Sequence, residues 1–135
     1  MTDLFVCDAL MYKDVREALL GHDYETTDAL LKGYARKQTK DLPYPALIEE
    51  EGSVVEGVLL RDVHTPDLIV LDKFHADHKR ILVRVDAEGK EAFVSTYTPK
   101  EHVEVLEQEW NEEALDYAEF YLEHVIPEFF SELSN

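Results

Sequence analysis

Cysteine, positive charge and long apolar runs are what this 135-residue chain has least of. Its single cysteine, Cys7, excludes an internal disulfide and a thiolate metal cluster, and fits a reducing compartment. Thirteen Lys and Arg stand against thirty Asp and Glu, a formal net charge of -17 that repels phosphate backbones and anionic lipid. Neither nucleic acid nor a membrane surface is therefore expected as a partner. No run approaches the roughly 20 apolar residues of a membrane span, and no basic start leads into an apolar stretch of signal-peptide length. The expectation is a soluble, cytoplasmic protein. Repeats, linkers and low-complexity segments are also missing, and 45% hydrophobic residues in this length suit one domain, residues 1–135, with one ordinary core.

What is present reads as alternating short elements. Residues 4–7 form an apolar run of strand type, and DVREALLG from Asp14 has helical spacing at Val15, Ala18 and Leu19 before Gly21 closes it. Residues 29–38 predict a strand bent at Gly33, followed by an irregular loop at Pro43, Tyr44 and Pro45. Residues 53–63 predict another strand, with Gly57 as a bulge or a point of close approach. TPDLIVLDKF, 65–74, predicts a helix capped by Thr65 with Pro66 at its first position. Two further strands, 80–86 and 90–98, are joined by a hairpin turn at Ala87, Glu88 and Gly89.

Residues 99–108 predict a short acidic helix or turn. The stretch after it carries Leu115, Ala118, Tyr121, Leu122 and Val125 on one helical stripe until Pro127 kinks or ends it. Residues 99–135 hold eleven acids against one Lys, read here as a solvated helix face rather than an acidic interaction tail. Five or six short strands with inserted helices, mostly close enough for antiparallel pairing, imply an α+β domain built on a curved mixed sheet or small barrel.

Three clusters could carry chemistry. The turn Asp8-Ala9-Leu10-Met11 follows a strand end and can present backbone N–H groups to an anion. His75-Ala76-Asp77-His78 places two imidazoles and a carboxylate within four residues. A metal held by His75, Asp77 and His78 is one reading, two polar surface histidines at a helix end another, and His75 alone as general acid or base a third. Tyr34, Tyr44 and Tyr97, with Arg36 and Arg80, suit the lining of a small-molecule pocket or ordinary sheet packing. Cys7, inside an apolar strand, reads as inert core rather than a nucleophile.

Taken in order, the motifs resemble the gamma-glutamylcyclotransferase-like family, which includes the plant avirulence-induced-gene-like proteins. Cys7-Asp8-Ala9-Leu10 stands at the family's Tyr-Gly-Ser/Thr-Leu turn, and VREALLG at its leucine-rich helix. Gly33-Tyr34-Ala35-Arg36, Tyr44-Pro45-Ala46-Leu47 and Val55-x-Gly57-x-Leu59 follow in family order. Leu71-Asp72-Lys73-Phe74-His75-Ala76, with His78 and Arg80 after a one-residue deletion, stands at Leu-Asp-x-aromatic-Glu-Gly. Trp110, Phe120, Leu122 and His124 are similar to the tail of the plant branch.

The resemblance implies a small mixed β-barrel with flanking helices around a central pocket. It also implies, for members that are enzymes, release of a γ-glutamyl group as 5-oxoproline without a cofactor. In that chemistry a single carboxylate at the Glu position moves both protons. Here His75 occupies that position, and a neutral imidazole does not attract the substrate's α-ammonium as a carboxylate does. Asp8 replaces the turn glycine and would repel a substrate carboxylate by at least ~1 kcal/mol at about 4 Å in water. Cys7 and Ala9 remove a phenol and a hydroxyl.

The site expected from the resemblance comprises His75 at the catalytic position and Cys7, Asp8, Ala9, Leu10, Tyr34, Tyr44, His78, Arg80 and Tyr97 around the ligand. The expected partner is a small-molecule ligand, with an amine or amino-acid conjugate as a candidate; the oligomeric state stays open. Two alternatives remain beside a non-cyclising binding protein. One is an active cyclotransferase or acyl transferase acting on an amine-containing substrate through His75. The other is a metal-binding module.

Overall fold

The computed structural model describes residues 2–111 and 117–134. Leu115 of the expected helical stripe lies outside the described residues. Strand β1 (Thr2–Val6) leads through a 3-10 turn (Ala9–Met11) into helix α1 (Lys13–Leu20), which closes at Gly21 as its sequence indicates. Strands β2 (Thr26–Thr39) and β3 (Ala46–Val63) form a long ribbon, followed by helix α2 (Thr65–Phe74), β4 (His78–Ala87), β5 (Lys90–Pro99) and β6 (Val105–Glu109). The described chain ends in helix α3 (Tyr117–Phe120), a π turn (Tyr121–Val125) and helix α4 (Ile126–Leu133). No helix among the described residues is long and apolar enough to cross a membrane.

The sheet runs β3-β1-β5-β4-β2, and β2 pairs back onto β3, so five strands close into a mixed barrel with β6 added beside β2. Every pairing is antiparallel except that of β1 with β5, where Leu4 lies beside Ser95. β1 is buried on both faces, as its unbroken apolar run requires. Phe5 points into the barrel with Leu31, Leu59, Val85 and Val94, while Leu4 and Val6 meet the helices through Leu10, Leu19, Leu71 and Tyr121.

The β2–β3 ribbon bends at Gly33, where Lys32 pairs with Val54 but Tyr34 with Glu49, so residues 50–53 bulge. Gly57 is a close-approach point and not a bulge, since pairing runs through it without a break. A Cβ there would lie 2.5 Å from the Phe5 ring and 2.6 Å from the Val6 carbonyl oxygen. Gly57→Ala is thus expected to cost about 2 kcal/mol or more of stability by overpacking against backbone that cannot retreat. Urea denaturation of the variant checks it, and an unchanged midpoint refutes the close approach.

Four expectations change. The α2 cap is His64 and not Thr65, which is already helical; the Leu68 N–H bonds to the His64 carbonyl at 2.9 Å. The β4–β5 turn has two residues, because Ala87 pairs with Lys90, and Glu88 (φ 52°) and Gly89 (φ 77°) take the two left-handed positions of a type I′ turn. Residues 105–109 are strand rather than acidic helix or turn, because β2 offers a free edge and Lys37 draws Glu109 to 2.6 Å. Pro127 does not end the last helix. A π turn precedes it, in which the Ile126 N–H reaches the Tyr121 carbonyl, and helix continues to Leu133.

Candidate functional site

The end of β1 and the end of α2 converge on one another. After Val6 the chain leaves the sheet, and Asp8, in an extended conformation, caps the 3-10 turn by accepting the Leu10 N–H at 3.0 Å on its Oδ1. An acid at this turn thus consumes the backbone donor that the turn would otherwise offer. On the other side, His75 ends α2, and its Nδ1 lies 2.8 Å from the Leu71 carbonyl oxygen. Its Nε2 lies 2.9 Å from Asp8 Oδ2.

Both ring nitrogens of buried His75 therefore lie against oxygen atoms of the protein itself. Burial works to raise the Asp8 pKa, but the hydrogen bond and charge of His75, the Leu10 N–H and His78 together hold the carboxyl below its ordinary value. Tyr97 on β5 stacks on the His75 ring at 4.0 Å and 4° between planes. Its hydroxyl donates to Asp72 Oδ1 at 2.6 Å, and Arg80 Nε donates to the same oxygen at 2.8 Å. Burial and that bond keep the Tyr97 phenol protonated.

His78, at the start of β4, stands edge-on to His75 at 5.3 Å and tilted against Tyr44 at 4.8 Å. Its Nδ1 is buried without a hydrogen-bond partner among the described residues. Burial first, then the charge of His75, press its pKa down to about 4, so the ring is neutral at physiological pH. Tyr44 donates to Asp77 Oδ2 at 3.3 Å and, through burial and the charge of Asp77, is pushed up to about 12. His102, which its sequence context did not single out, holds the other Asp77 oxygen at 2.9 Å.

Little space is left between these groups. A chamber of about 20 Å³ separates Cys7, Asp8, Pro45, His75 and His78. A second, of about 90 Å³, is walled by Asp8, Tyr44, Phe74, His75, His78 and Tyr121. Arg80 and Tyr97 line an open cleft of about 590 Å³ on the far side of His78. A larger hollow, about 880 Å³, is open and lies away from His75, between Asp28, Glu56, Asp86 and Glu88.

The turn, His75, His78, Tyr44 and Tyr97 lie together around these two small chambers. Ala9 and Leu10 belong to the core and contribute backbone only. Tyr34 is not brought to these chambers; its hydroxyl donates to Glu49 across the ribbon at 3.4 Å, because the bend at Gly33 turns it along β3. Arg36 Nη1 holds the Cys7 carbonyl at 2.9 Å, a positioning contact. Phe74 and Tyr121 were missed as site residues, having been read as a motif aromatic and a helix stripe. Among the described residues no group of three His, Cys, Asp or Glu side chains is placed to hold a metal ion; Asp77 is committed to His102 and Tyr44.

The model for the family described as gamma-glutamyl cyclotransferase, AIG2-like, matches residues 4–117. The chain belongs to that family. Among curated members, AIG2-like protein D of Arabidopsis thaliana is 32% identical over 101 residues, 72% of this chain and 66% of that protein. Protein AIG2 C of the same plant is 29% identical over 84 residues, 62% of this chain and 51% of that protein. The match thus spans between half and two thirds of these relatives' own length. An Arabidopsis thaliana solution structure superposes with a TM-score of 0.71 at 24% identity, over 98% of this chain and 91% of that one. A solved gamma-glutamyl cyclotransferase superposes with a TM-score of 0.64 at 14% identity, over 77% and 69%. At these identities the structures establish the gamma-glutamyl cyclotransferase fold, with its mixed barrel and terminal helix.

Proposed function

We propose that this AIG2-like chain does not form 5-oxoproline by the reaction of its enzymatic relatives, and that its altered pocket binds a small ligand or a partner. The observation that carries this reading is the closed contact between His75 and Asp8, 2.9 Å from Nε2 to Oδ2, with the other ring nitrogen on the Leu71 carbonyl. Cyclisation needs one group that accepts a proton from the substrate's α-amine and returns one to the leaving nitrogen. His75, in the place where resemblance calls for that group, spends both nitrogens on the protein itself. The adjoining chamber of about 20 Å³ has room for about one water molecule and not for a γ-glutamyl group. The same contact argues against His75 as general acid or base for another amide.

The test is release of 5-oxoproline from a panel of γ-glutamyl amines and dipeptides. No turnover above the blank is expected. Turnover comparable to that of a Glu-bearing relative would overturn the reading. His75→Glu combined with Asp8→Gly is expected to raise release above the blank if disarming these two positions is what silenced the pocket.

A further inference from the structure

Strand β4 is held on one side only for most of its length. Every residue from His78 to Ala87 pairs with β5, but β2 meets β4 only at Ala29 with Ala87 and at Leu30 with Asp86. The bend at Gly33 then carries β2 away to β6, so among the described residues the edge of β4 over 79–85 has no strand beside it. An open edge presents a row of backbone N–H and C=O groups that a further strand can take up.

The side chains along this edge are unlike the rest of the chain. Residues 78–85 read His-Lys-Arg-Ile-Leu-Val-Arg-Val, with Lys79, Arg80 and Arg84 and no acid, in a chain of formal net charge -17. Alternation puts Arg80, Leu82 and Arg84 on the outer face, with Phe93 opposite Arg84 on β5, and puts Ile81 and Val83 toward the barrel. Nothing among the described residues covers Leu82 and Phe93, which are 74% and 76% exposed. Arg84 has a loose partner in Glu91, at 3.8 Å in solvent. Arg80 gives its Nε to Asp72 at 2.8 Å, and among the described residues its Nη groups are left for another carboxylate. Lys100 lines the same open cleft as Arg80 and adds a further cation at that end of the edge.

We propose that the open edge of β4 docks an extended acidic segment of a partner protein, which adds a strand to the sheet there. On the outer face the segment sets carboxylates beside Arg80 and Arg84, with an apolar residue between them at Leu82. On the other face it sets apolar residues beside Ile81 and Val83. A second copy of this chain is the poorer occupant, because β4 laid along β4 brings Lys79, Arg80 and Arg84 against their own like charges. The surface lies outside the two closed chambers around His75, so the proposal goes beyond the reading of that pocket and does not depend on it.

NMR titration of the whole, 15N-labelled chain with the peptide acetyl-Glu-Val-Leu-Val-Glu-amide tests this. Amides of residues 79–85 are expected to move together, at peptide concentrations up to about 1 mM. The analogue with Lys in place of both Glu is expected to bind at least about tenfold more weakly, and Arg84→Glu to weaken the acidic peptide about fivefold. Arg84 is exposed, and the spectrum of the variant checks that its fold is unchanged. Two analogues N-methylated at alternate amides separate a strand from a charge contact: the one whose methyl groups face β4 is expected to lose at least about tenfold. Absence of shifts at β4 would overturn the proposal, as would equal binding of the Lys analogue or undiminished binding of both N-methylated peptides. Free glutamate reproducing the same shifts at equal concentration would make the edge a small-anion site and overturn it too. So would sedimentation showing a dimer of the free chain that the peptide dissociates, since the occupant would then be a second copy. Release of 5-oxoproline bears on the pocket alone and leaves this edge untouched.

Discussion

Acidifying the protein from neutrality to about pH 4 is expected to remove about 3 kcal/mol of folding stability through His78 alone. In the unfolded chain this ring protonates through its ordinary value of 6.5, whereas in the fold it stays neutral until about 4. Between those values the unfolded state binds the proton and the native state does not, so stability falls as pH falls. Each unit of that gap is about 1.4 kcal/mol. The loss starts near 6.5 and is complete near 4; below the ordinary Asp8 value of 3.8, loss of its ionised form adds a separate decline. His22, whose pKa is raised by its bonds to the Asp23 carbonyl and to Asp67, works in the opposite direction. The measurement that isolates His78 is therefore a comparison. Urea midpoints of the parent and of His78→Phe are followed over the same pH series, and the variant should be flatter between 6.5 and 4. Parallel decline of the two would refute a neutral His78 in the fold.

At neutral pH, Asp8→Ala is expected to cost about 3 kcal/mol, because it strips an acceptor from a buried His75 N–H and from the Leu10 N–H together. His75→Leu is expected to cost a similar amount by leaving the Asp8 carboxylate, 18% exposed, without its partner. The double variant should cost less than the sum by about 1–3 kcal/mol, the signature of two groups that act on each other. Denaturation of all four proteins completes the cycle. Additive losses would mean that the contact contributes nothing as a pair. The sign with pH follows from the depressed Asp8 value: its contribution is present above the ordinary 3.8 and is lost as pH falls through the folded value.

The sequence was legible where local chemistry is sufficient. Gly21 closes α1, Gly33 bends β2, and the Glu88-Gly89 pair turns the β4–β5 hairpin, because each asks only for what neighbouring residues can supply. It was misleading where a distant partner decides. β6 is strand because the far half of β2 needs an edge partner, and nothing within Val105–Glu109 announces that. In the site, the turn at Asp8 and the end of α2 at His75 were each visible as clusters. Their union could not be, since 67 residues separate the two halves of the hydrogen bond. Tyr34 shows the same limit: a tyrosine beside Arg36 in a motif suits pocket lining, but the curvature of the ribbon takes its hydroxyl to Glu49, whereas Tyr121 keeps the core place its stripe indicates and also walls the second chamber.

The π turn before Pro127 has a consequence for the whole end of the chain. Tyr121 and Phe129 both lie against Phe74, at 6.1 and 5.2 Å, although they stand eight positions apart. At about 100° per residue an uninterrupted α-helix would carry them about 80° out of phase. The wider π turn, closed by the Ile126 N–H on the Tyr121 carbonyl, turns less per residue and so reduces that offset. The widened turn works as a vernier, a small correction in angle that lets one phenylalanine clasp the terminal segment at two points while a proline passes between them.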